Sequence, residues 1–184
     1  MSKFKVHADV NDTKKINGLL DAGLFITNTM LVLEKPINTG IDKTVLNESM
    51  DKYPIEKYDS KDLKEYLKAN GKGFGAPDPI EVIEEELTYN NAVIYVWREK
   101  RKIVSSITTW DIDEETIATE NIFTIPKYRN RHIASTMLQY VLDKASERGM
   151  KKARLTVYGD DTAALSMYYN FGYAVTKTLH EFTN

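Results

Sequence analysis

The sequence contains no cysteine among its 184 residues. Disulfide bonds, thiolate catalysis and every zinc site that uses sulfur are therefore excluded. The three histidines, His7, His132 and His180, lie far apart in sequence and show no spacing typical of metal ligands. We therefore expect no metal site.

Long apolar runs and a strong net charge are also missing. No apolar segment approaches the roughly 20 residues that a helix needs to cross a bilayer. The N-terminus lacks the apolar stretch of a secretory signal, so we expect a cytoplasmic protein without a membrane partner. The formal net charge is only −2, which gives no general attraction to nucleic acid. A polyanion would have to bind at a local cluster of positive charge.

Residues 1–50 have the pattern of a strand–helix–strand extension followed by a linker. The linker is predicted over residues 37–52, which are polar and weakly patterned. Three explanations of the extension stay open: an added sheet edge, the remnant of a duplicated half, or the contact of a possible homodimer. The predicted elements are a strand over 4–10, a helix from a cap at Asn11 or Asp12 through Leu20, and a strand over 25–33.

Residues 51–184 show both helical and strand periodicity, and the whole chain is long enough for one domain or for a domain with a small appendage. The fold class is α/β (α+β): a single mixed, mostly antiparallel sheet flanked by helices, with the N-terminal β-α-β extension. The predicted helices cover 61–69, 80–87, 133–148 and 162–170, and the predicted strands cover 92–97, 103–110, 116–125, 153–158 and 173–182.

A glycine-rich segment, Gly71-Lys-Gly-Phe-Gly75, follows the first of these helices. A nucleotide-binding loop is not indicated, because no apolar strand precedes the segment and Pro77 and Pro79 follow it. We expect the segment to break the helix and to form a mobile loop. The next helix is then capped by Asp78, with Pro79 at its first position.

The most informative segment is a strand, a short basic loop and a helix within Glu120–Gly149. Lys127, Arg129 and Arg131 place three cations within five residues. The first turn of a helix offers unpaired N–H groups and the positive end of its dipole. Such a turn suits a phosphate group.

Two motifs resemble the GNAT superfamily of acetyl-CoA-dependent N-acetyltransferases. The segment Arg129-Asn-Arg-His-Ile-Ala134 is similar to its R/Q-x-x-G-x-G/A signature, with His132 at the first glycine. The segment from Asp161 to Tyr173 resembles N-x-x-A-x-x-x-Y-x-x-x-G-F, with Asp161 at the asparagine and Tyr168 in register. The resemblance covers about residues 53–182, and it identifies residues 51–184 as an N-acetyltransferase domain.

The resemblance implies that acetyl-CoA is the co-substrate and that an amine is the acceptor. The implied cofactor-binding residues are Ile122, Phe123, Thr124, Arg129, Asn130, Arg131, His132, Ile133, Ala134, Ser135 and Asp161. It also implies that Tyr168 is the general acid that protonates the leaving thiolate.

The general base is assigned only as a hypothesis. Glu120 lies on the same strand and is a candidate base. Strict alternation puts its side chain on the face of Ile122 and Thr124, and puts Phe123 on the other face. Tyr169, beside Tyr168, fits an ordinary core residue.

Three functions stay open at this point. The first is acetyl transfer from acetyl-CoA to a primary amine of a small molecule or peptide. The second is a non-catalytic acyl-CoA-binding or sensing module, and the third is an interaction domain that binds no cofactor. The third predicts no thermal shift with acetyl-CoA, whereas a ligand at 100 times its dissociation constant adds roughly 2.7 kcal/mol.

Overall fold

A computed structural model describes residues 5–37 and 53–184 of the chain. The predicted boundary between residues 50 and 51, and all but the first residue of the predicted linker, lie outside the described residues. The strands are β1 Lys5–Asp9, β2 Phe25–Pro36, β3 Ile55–Lys57, β4 Val93–Glu99, β5 Lys102–Asp111, β6 Thr116–Thr124, β7 Lys152–Tyr158 and β8 Ala174–Thr183. The helices are α1 Thr13–Asp21, α2 Leu63–Phe74, α3 Ile80–Glu86, α4 Ile133–Glu147 and α5 Thr162–Asn170.

The chain divides into two compact units. One comprises the described residues up to Lys35 together with Arg154–Asn184, and the other comprises those between Pro36 and Ala153. The predicted α/β class, with mostly antiparallel strands and flanking helices, is confirmed. Each predicted helix and strand is found within a few residues of its predicted bounds, apart from the end of α2, and only the short strand β3 was not predicted.

In the first unit the strands follow the order β1-β8-β2-β7. Both strands of the N-terminal extension pair antiparallel with β8, one on each side. Asp12 caps α1 by accepting a hydrogen bond from the N–H of Lys15, as one of the two predicted alternatives requires. Gly23 follows that helix with a φ of 84°, a left-handed conformation that costs glycine little.

A buried carboxylate on β8 joins the strands on both sides. Glu181 is only 2% exposed. It accepts hydrogen bonds from Lys5 Nζ at 2.9 Å and from Asn28 Nδ2 at 2.7 Å. Thr27 Oγ1 donates to it at 3.2 Å. Although burial opposes ionisation, these hydrogen bonds and the charge of Lys5 lower the pKa of Glu181 below its ordinary value.

In the second unit the strands follow the order β6-β5-β4-β3, and each neighbouring pair is antiparallel. Helix α2 packs on β5 and β6, and α4 packs on β4, β5 and β6. A core cluster on the α2 side contains seven buried side chains: Tyr66, Ala69, Ile83, Ile94, Val96, Ile103 and Phe123. This cluster fixes α2 beside the strand that carries the predicted cofactor residues.

The glycine-rich segment differs from the prediction. Helix α2 continues through Gly71 and Gly73 to Phe74, and it ends at Gly75, whose φ is 93°. The predicted break at Gly71 is therefore wrong. Tertiary packing explains the glycine at position 73 inside the helix. A Cβ added at Gly73 would lie 2.7 Å from the ring and Cβ of Phe123, so a larger residue would not fit there.

The predicted cap of α3 is also wrong. Pro79 is the N-cap residue and Asp78 makes no capping hydrogen bond. Asp78 instead exchanges two hydrogen bonds with the buried Asn70, whose Nδ2 donates at 2.7 Å and whose Oδ1 accepts from the Asp78 N–H at 2.8 Å. This pair ties the α2–α3 connection to the body of α2.

We expect Glu181→Gln to lower the free energy of unfolding at pH 7 by about 1–3 kcal/mol, because it weakens the hydrogen bonds to a buried charge. The folded-state pKa of Glu181 is lowered, so its stabilisation is complete above its unfolded pKa and is lost as the pH falls through its folded pKa. Urea unfolding should therefore show a smaller difference between variant and wild type at pH 3 than at pH 7.

The matched control is Glu114→Gln, the same chemical change at an exposed loop residue. It should alter the unfolding free energy by less than about 0.5 kcal/mol. An equal effect of both substitutions at pH 7 would contradict the role given to Glu181.

Candidate active site

The strand β6 carries a bulge where the predicted acyl-binding residues begin. Thr108 of β5 pairs with Glu120, and Ser106 pairs with Phe123. Ile107, between them, therefore faces two residues, Asn121 and Ile122. Asn121 has a φ of 51°, which asparagine adopts more readily than most residues.

The bulge overturns the predicted alternation of side chains. Ser106 and Thr108 are two residues apart on β5 and so lie on one face, and their partners Phe123 and Glu120 share that face. Placing Glu120 and Phe123 on opposite faces was therefore wrong. The extra residue of the bulge shifts the alternation by one position.

Phe123 is the buried anchor of this segment. It is 3% exposed, its ring meets that of Tyr66 edge-on at 6.0 Å, and its carbonyl accepts a hydrogen bond from Ser105 Oγ at 2.5 Å. The hydroxyls of Thr124 and Ser105 are 2.9 Å apart. The end of β6 is thus held by a ring contact with α2 and by hydrogen bonds with β5.

The loop after β6 begins with one 3-10 turn, Pro126–Tyr128, and reaches α4 through two left-handed residues. Asn130 and His132 each have a φ of 59°. His132, at the motif position of a glycine, therefore adopts the conformation that a glycine supplies there most easily. The imidazole is exposed, so only the backbone at this position is constrained.

Arg129 is exposed, but its guanidinium is hydrogen-bonded to the main chain on both sides of the loop. Its Nε donates to the carbonyl of Thr124 at 3.0 Å, and its Nη2 donates to the carbonyl of Gly73 at 2.7 Å. The guanidinium therefore joins the end of β6 to the last turn of α2. Arg131 lies 5.1 Å above the ring of Tyr128 and is exposed.

The N-terminus of α4 is open to an anion. His132 is its N-cap residue, and the imidazole makes no capping hydrogen bond. Thr136 donates the first helical hydrogen bond, to the carbonyl of His132 at 2.9 Å, and Ser135 Oγ donates to the same carbonyl at 2.8 Å. The N–H groups that precede Thr136, including those of Ile133 and Ala134, have no partner within the helix.

The residues of the second motif lie in the other compact unit. Asp161 caps α5 by accepting a hydrogen bond from the N–H of Ala164 at 3.0 Å. Tyr168 is 7% exposed and meets Tyr173 edge-on at 5.8 Å. Tyr169 is 48% exposed, so its prediction as a core residue is wrong. Of these two neighbouring tyrosines, Tyr168 is the one in a buried environment.

One carboxylate of the second unit was not among the predicted site residues. Glu86, at the end of α3, accepts a hydrogen bond from Nδ2 of the bulge residue Asn121 at 2.5 Å. Burial raises the pKa of Glu86, and the negative charges of Asp78 and Glu85 add to that effect. Its carboxylate position depends on the bulge, which the sequence pattern did not reveal.

Membrane spans and metal clusters are absent from residues 5–37 and 53–184. No helix in these ranges is long and apolar enough to cross a membrane. Nor does this part of the chain hold a group of three or more histidine or acidic side chains placed to bind a metal ion.

Comparison with protein families identifies an acetyltransferase family. The model of the acetyltransferase (GNAT) family matches residues 59–173, which include the bulge, the loop, α4 and both motifs. No curated protein sequence matches the chain.

Solved structures share the fold at low sequence identity. A GCN5-related N-acetyltransferase from Sphaerobacter thermophilus is 16% identical with a TM-score of 0.68; the alignment covers 99% of this chain and only 60% of that one. The PaiA N-acetyltransferase from Thermoplasma acidophilum, solved with coenzyme A, is 15% identical with a TM-score of 0.56 (69% and 96% covered). A GNAT-family acetyltransferase from Elizabethkingia anophelis with acetyl-CoA bound is 19% identical with a TM-score of 0.53 (72% and 97% covered).

The contact between Gly73 and Phe123 yields a test of the site. We expect Gly73→Ala to lower the unfolding free energy by about 1–3 kcal/mol, because the new methyl group overpacks a closed contact. Displacing Phe123 should also weaken acetyl-CoA binding, measured by calorimetry.

Gly18→Ala is the matched control, since Gly18 is also helical but has no atom within 4 Å of an added Cβ. It should leave acetyl-CoA binding unchanged and stabilise the protein by about 0.4–1 kcal/mol. Equal responses of the two variants would show that the close packing at Gly73 has no effect.

Proposed function

Because the chain belongs to the acetyltransferase (GNAT) family, we propose that it transfers an acetyl group from acetyl-CoA directly to a primary amine of a small molecule or peptide. The chain spans 60% of the length of its relative from Sphaerobacter thermophilus. The proposed activity is therefore assigned to the site within this chain, and not to the additional length of that relative.

The observation that supports the proposal most strongly is the uncapped N-terminus of α4 behind the left-handed His132. Backbone N–H groups and the positive helix end stabilise a diphosphate there. The residues that hold it in this proposal are Asn130, Arg131, His132, Ile133, Ala134 and Ser135. Arg129 acts through its contacts with Thr124 and Gly73, because its guanidinium is already bound to those carbonyls.

The bulged end of β6 receives the acyl arm in this proposal. Ile122, Phe123 and Thr124 offer main-chain groups to the arm, and an N–H group among them stabilises the oxygen of the thioester carbonyl as negative charge develops. The buried Phe123 keeps this strand end in place. Preorganised donors of this kind lower the barrier because they need not reorient during the reaction.

Proton transfers complete the proposed reaction. The ammonium group of the acceptor loses a proton to a base, for which Glu120 is the candidate. The neutral amine then attacks the acetyl carbonyl, the carbon–sulfur bond breaks, and Tyr168 protonates the thiolate. The second proton leaves the nitrogen of the new amide and restores the Tyr168 hydroxyl, so that no proton is left over. Asp161, as the cap of α5, supports the helix that carries Tyr168.

The proposal is tested by mass spectrometry of a panel of primary amines incubated with acetyl-CoA and the purified chain. We expect a mass gain of one acetyl group on at least one amine and saturable acetyl-CoA binding by calorimetry. Binding without transfer would favour a non-catalytic acyl-CoA-binding module. No heat and no thermal shift at millimolar acetyl-CoA would exclude both functions.

The catalytic residues are tested by Tyr168→Phe and Glu120→Gln. Tyr168→Phe should lower kcat by about 10²–10⁴-fold, which is the usual contribution of general acid catalysis, with acetyl-CoA affinity unchanged. Glu120→Gln should remove the acid limb of the pH dependence of kcat, which reports the base in the complex with bound substrate. Tyr169→Phe, at the exposed neighbour, is the matched control and should retain wild-type turnover.

An unchanged kcat in Tyr168→Phe would contradict its role as general acid. An unshifted pH–rate profile in Glu120→Gln would likewise contradict the role of Glu120 as base.

A further inference from the structure

Several carboxylates of the described residues are paired with cations. Glu181 binds Lys5, and the buried Asp111 binds Arg148. Arg98, which is 15% exposed, binds Asp62 at 2.5 Å, and it also binds Glu56 and Glu65. This pairing follows the general rule that a desolvated charge requires a partner of opposite sign.

Glu86 departs from this rule. Its side chain is half-buried, and its hydrogen-bond partner is the neutral amide of Asn121. The charged groups that influence it most are Asp78 and Glu85, both negative. Asp78 is itself bound only by the amide of Asn70. Within the part of the chain that the structure describes, neither Glu86 nor Asp78 forms an ion pair with a cation.

A neutral hydrogen-bond donor lies near the same two carboxylates. Tyr66 is almost fully buried, and burial together with the charges of Glu86 and Asp78 raises its pKa to about 12. Its hydroxyl therefore stays protonated near neutral pH. The neutral tyrosine and asparagine side chains do not compensate the negative charge of Glu86 and Asp78.

The Glu86 carboxylate lies beside the bulge of strand β6. Its partner Asn121 is the bulge residue, and the next residue is Ile122, where the proposed acyl-binding segment begins. The carboxylate is therefore one side-chain hydrogen bond away from the strand on which the acetyl group is presented. A primary amine is mainly an ammonium ion at neutral pH. Its positive charge would compensate the negative charge of Glu86.

We propose that Glu86 binds the ammonium group of the acceptor and so selects cationic amines for this site. This inference rests on the proposed acetyl transfer to a primary amine. Asp78 adds to the attraction without direct contact, and Asn121 orients the carboxylate. The proton is afterwards removed by the base, and Glu86 itself forms no covalent bond.

The experiment compares Glu86→Gln with Glu84→Gln by steady-state kinetics, using the best acceptor of the amine panel. Glu84 is exposed on the same helix, so its substitution removes the same charge outside the site. We expect the KM for the amine to rise about tenfold or more in Glu86→Gln. The KM for acetyl-CoA should stay unchanged, and Glu84→Gln should behave as wild type.

Thermal unfolding separates a binding role from a structural one. The substitution Glu86→Gln keeps a side-chain oxygen that can accept from Asn121 and removes an uncompensated charge, so the Tm of this variant should equal or exceed that of wild type. The pH dependence of kcat/KM for the amine adds a second readout. Its acid limb in wild type should lie above the ordinary pKa of a glutamate and should weaken in the variant.

The results distinguish failure of the proposed acetyl transfer from failure of the role given to Glu86. If wild type acetylates no amine, the proposed function fails and this inference fails with it. If wild type acetylates amines but both variants share its KM for the amine, only the role of Glu86 is overturned. A lower Tm in Glu86→Gln with an unchanged KM for the amine would assign Glu86 to the fold instead.

Discussion

The bulge in β6 is the constraint on which the geometry of the site depends. By placing Asn121 and Ile122 opposite the single residue Ile107, it moves every later side chain of the strand to the other face. Phe123 thereby enters the core beside Tyr66. Thr124, the next residue, ends β6 just before the loop that leads to α4. Without the extra residue, the same sequence would turn Phe123 away from the cluster that holds α2, and the end of β6 would lose its anchor.

The same constraint explains how α2 and the loop are joined. Gly73 has no side chain, so the helix approaches Phe123 more closely than any other residue would permit. Arg129 then spans the contact by binding the carbonyls of Gly73 and Thr124. A basic residue at a motif position thus uses its guanidinium to join two backbone segments.

Local patterns predicted most elements well because their causes are local. Asp12, one of the two predicted caps, caps α1 through a hydrogen bond to an N–H group three residues away. The loop–helix motif was likewise readable from Arg129 to Ala134. The errors in helix ends and caps concern Gly71, Gly73 and Asp78, where a weak local preference is overridden by contacts with Phe123, Asn70 and the rest of the core.

The sequence by itself determined the α/β class, the helix N-terminus with its basic loop, and the family resemblance, since each depends on residues close together in the chain. Only the tertiary structure decided which face of β6 carries Glu120 and that Glu86 meets Asn121, 35 residues further along the chain. Strand register and bulges are set by pairing with β5, and the charge balance around a carboxylate depends on which distant side chains share its surroundings. Neither quantity is encoded in a local pattern.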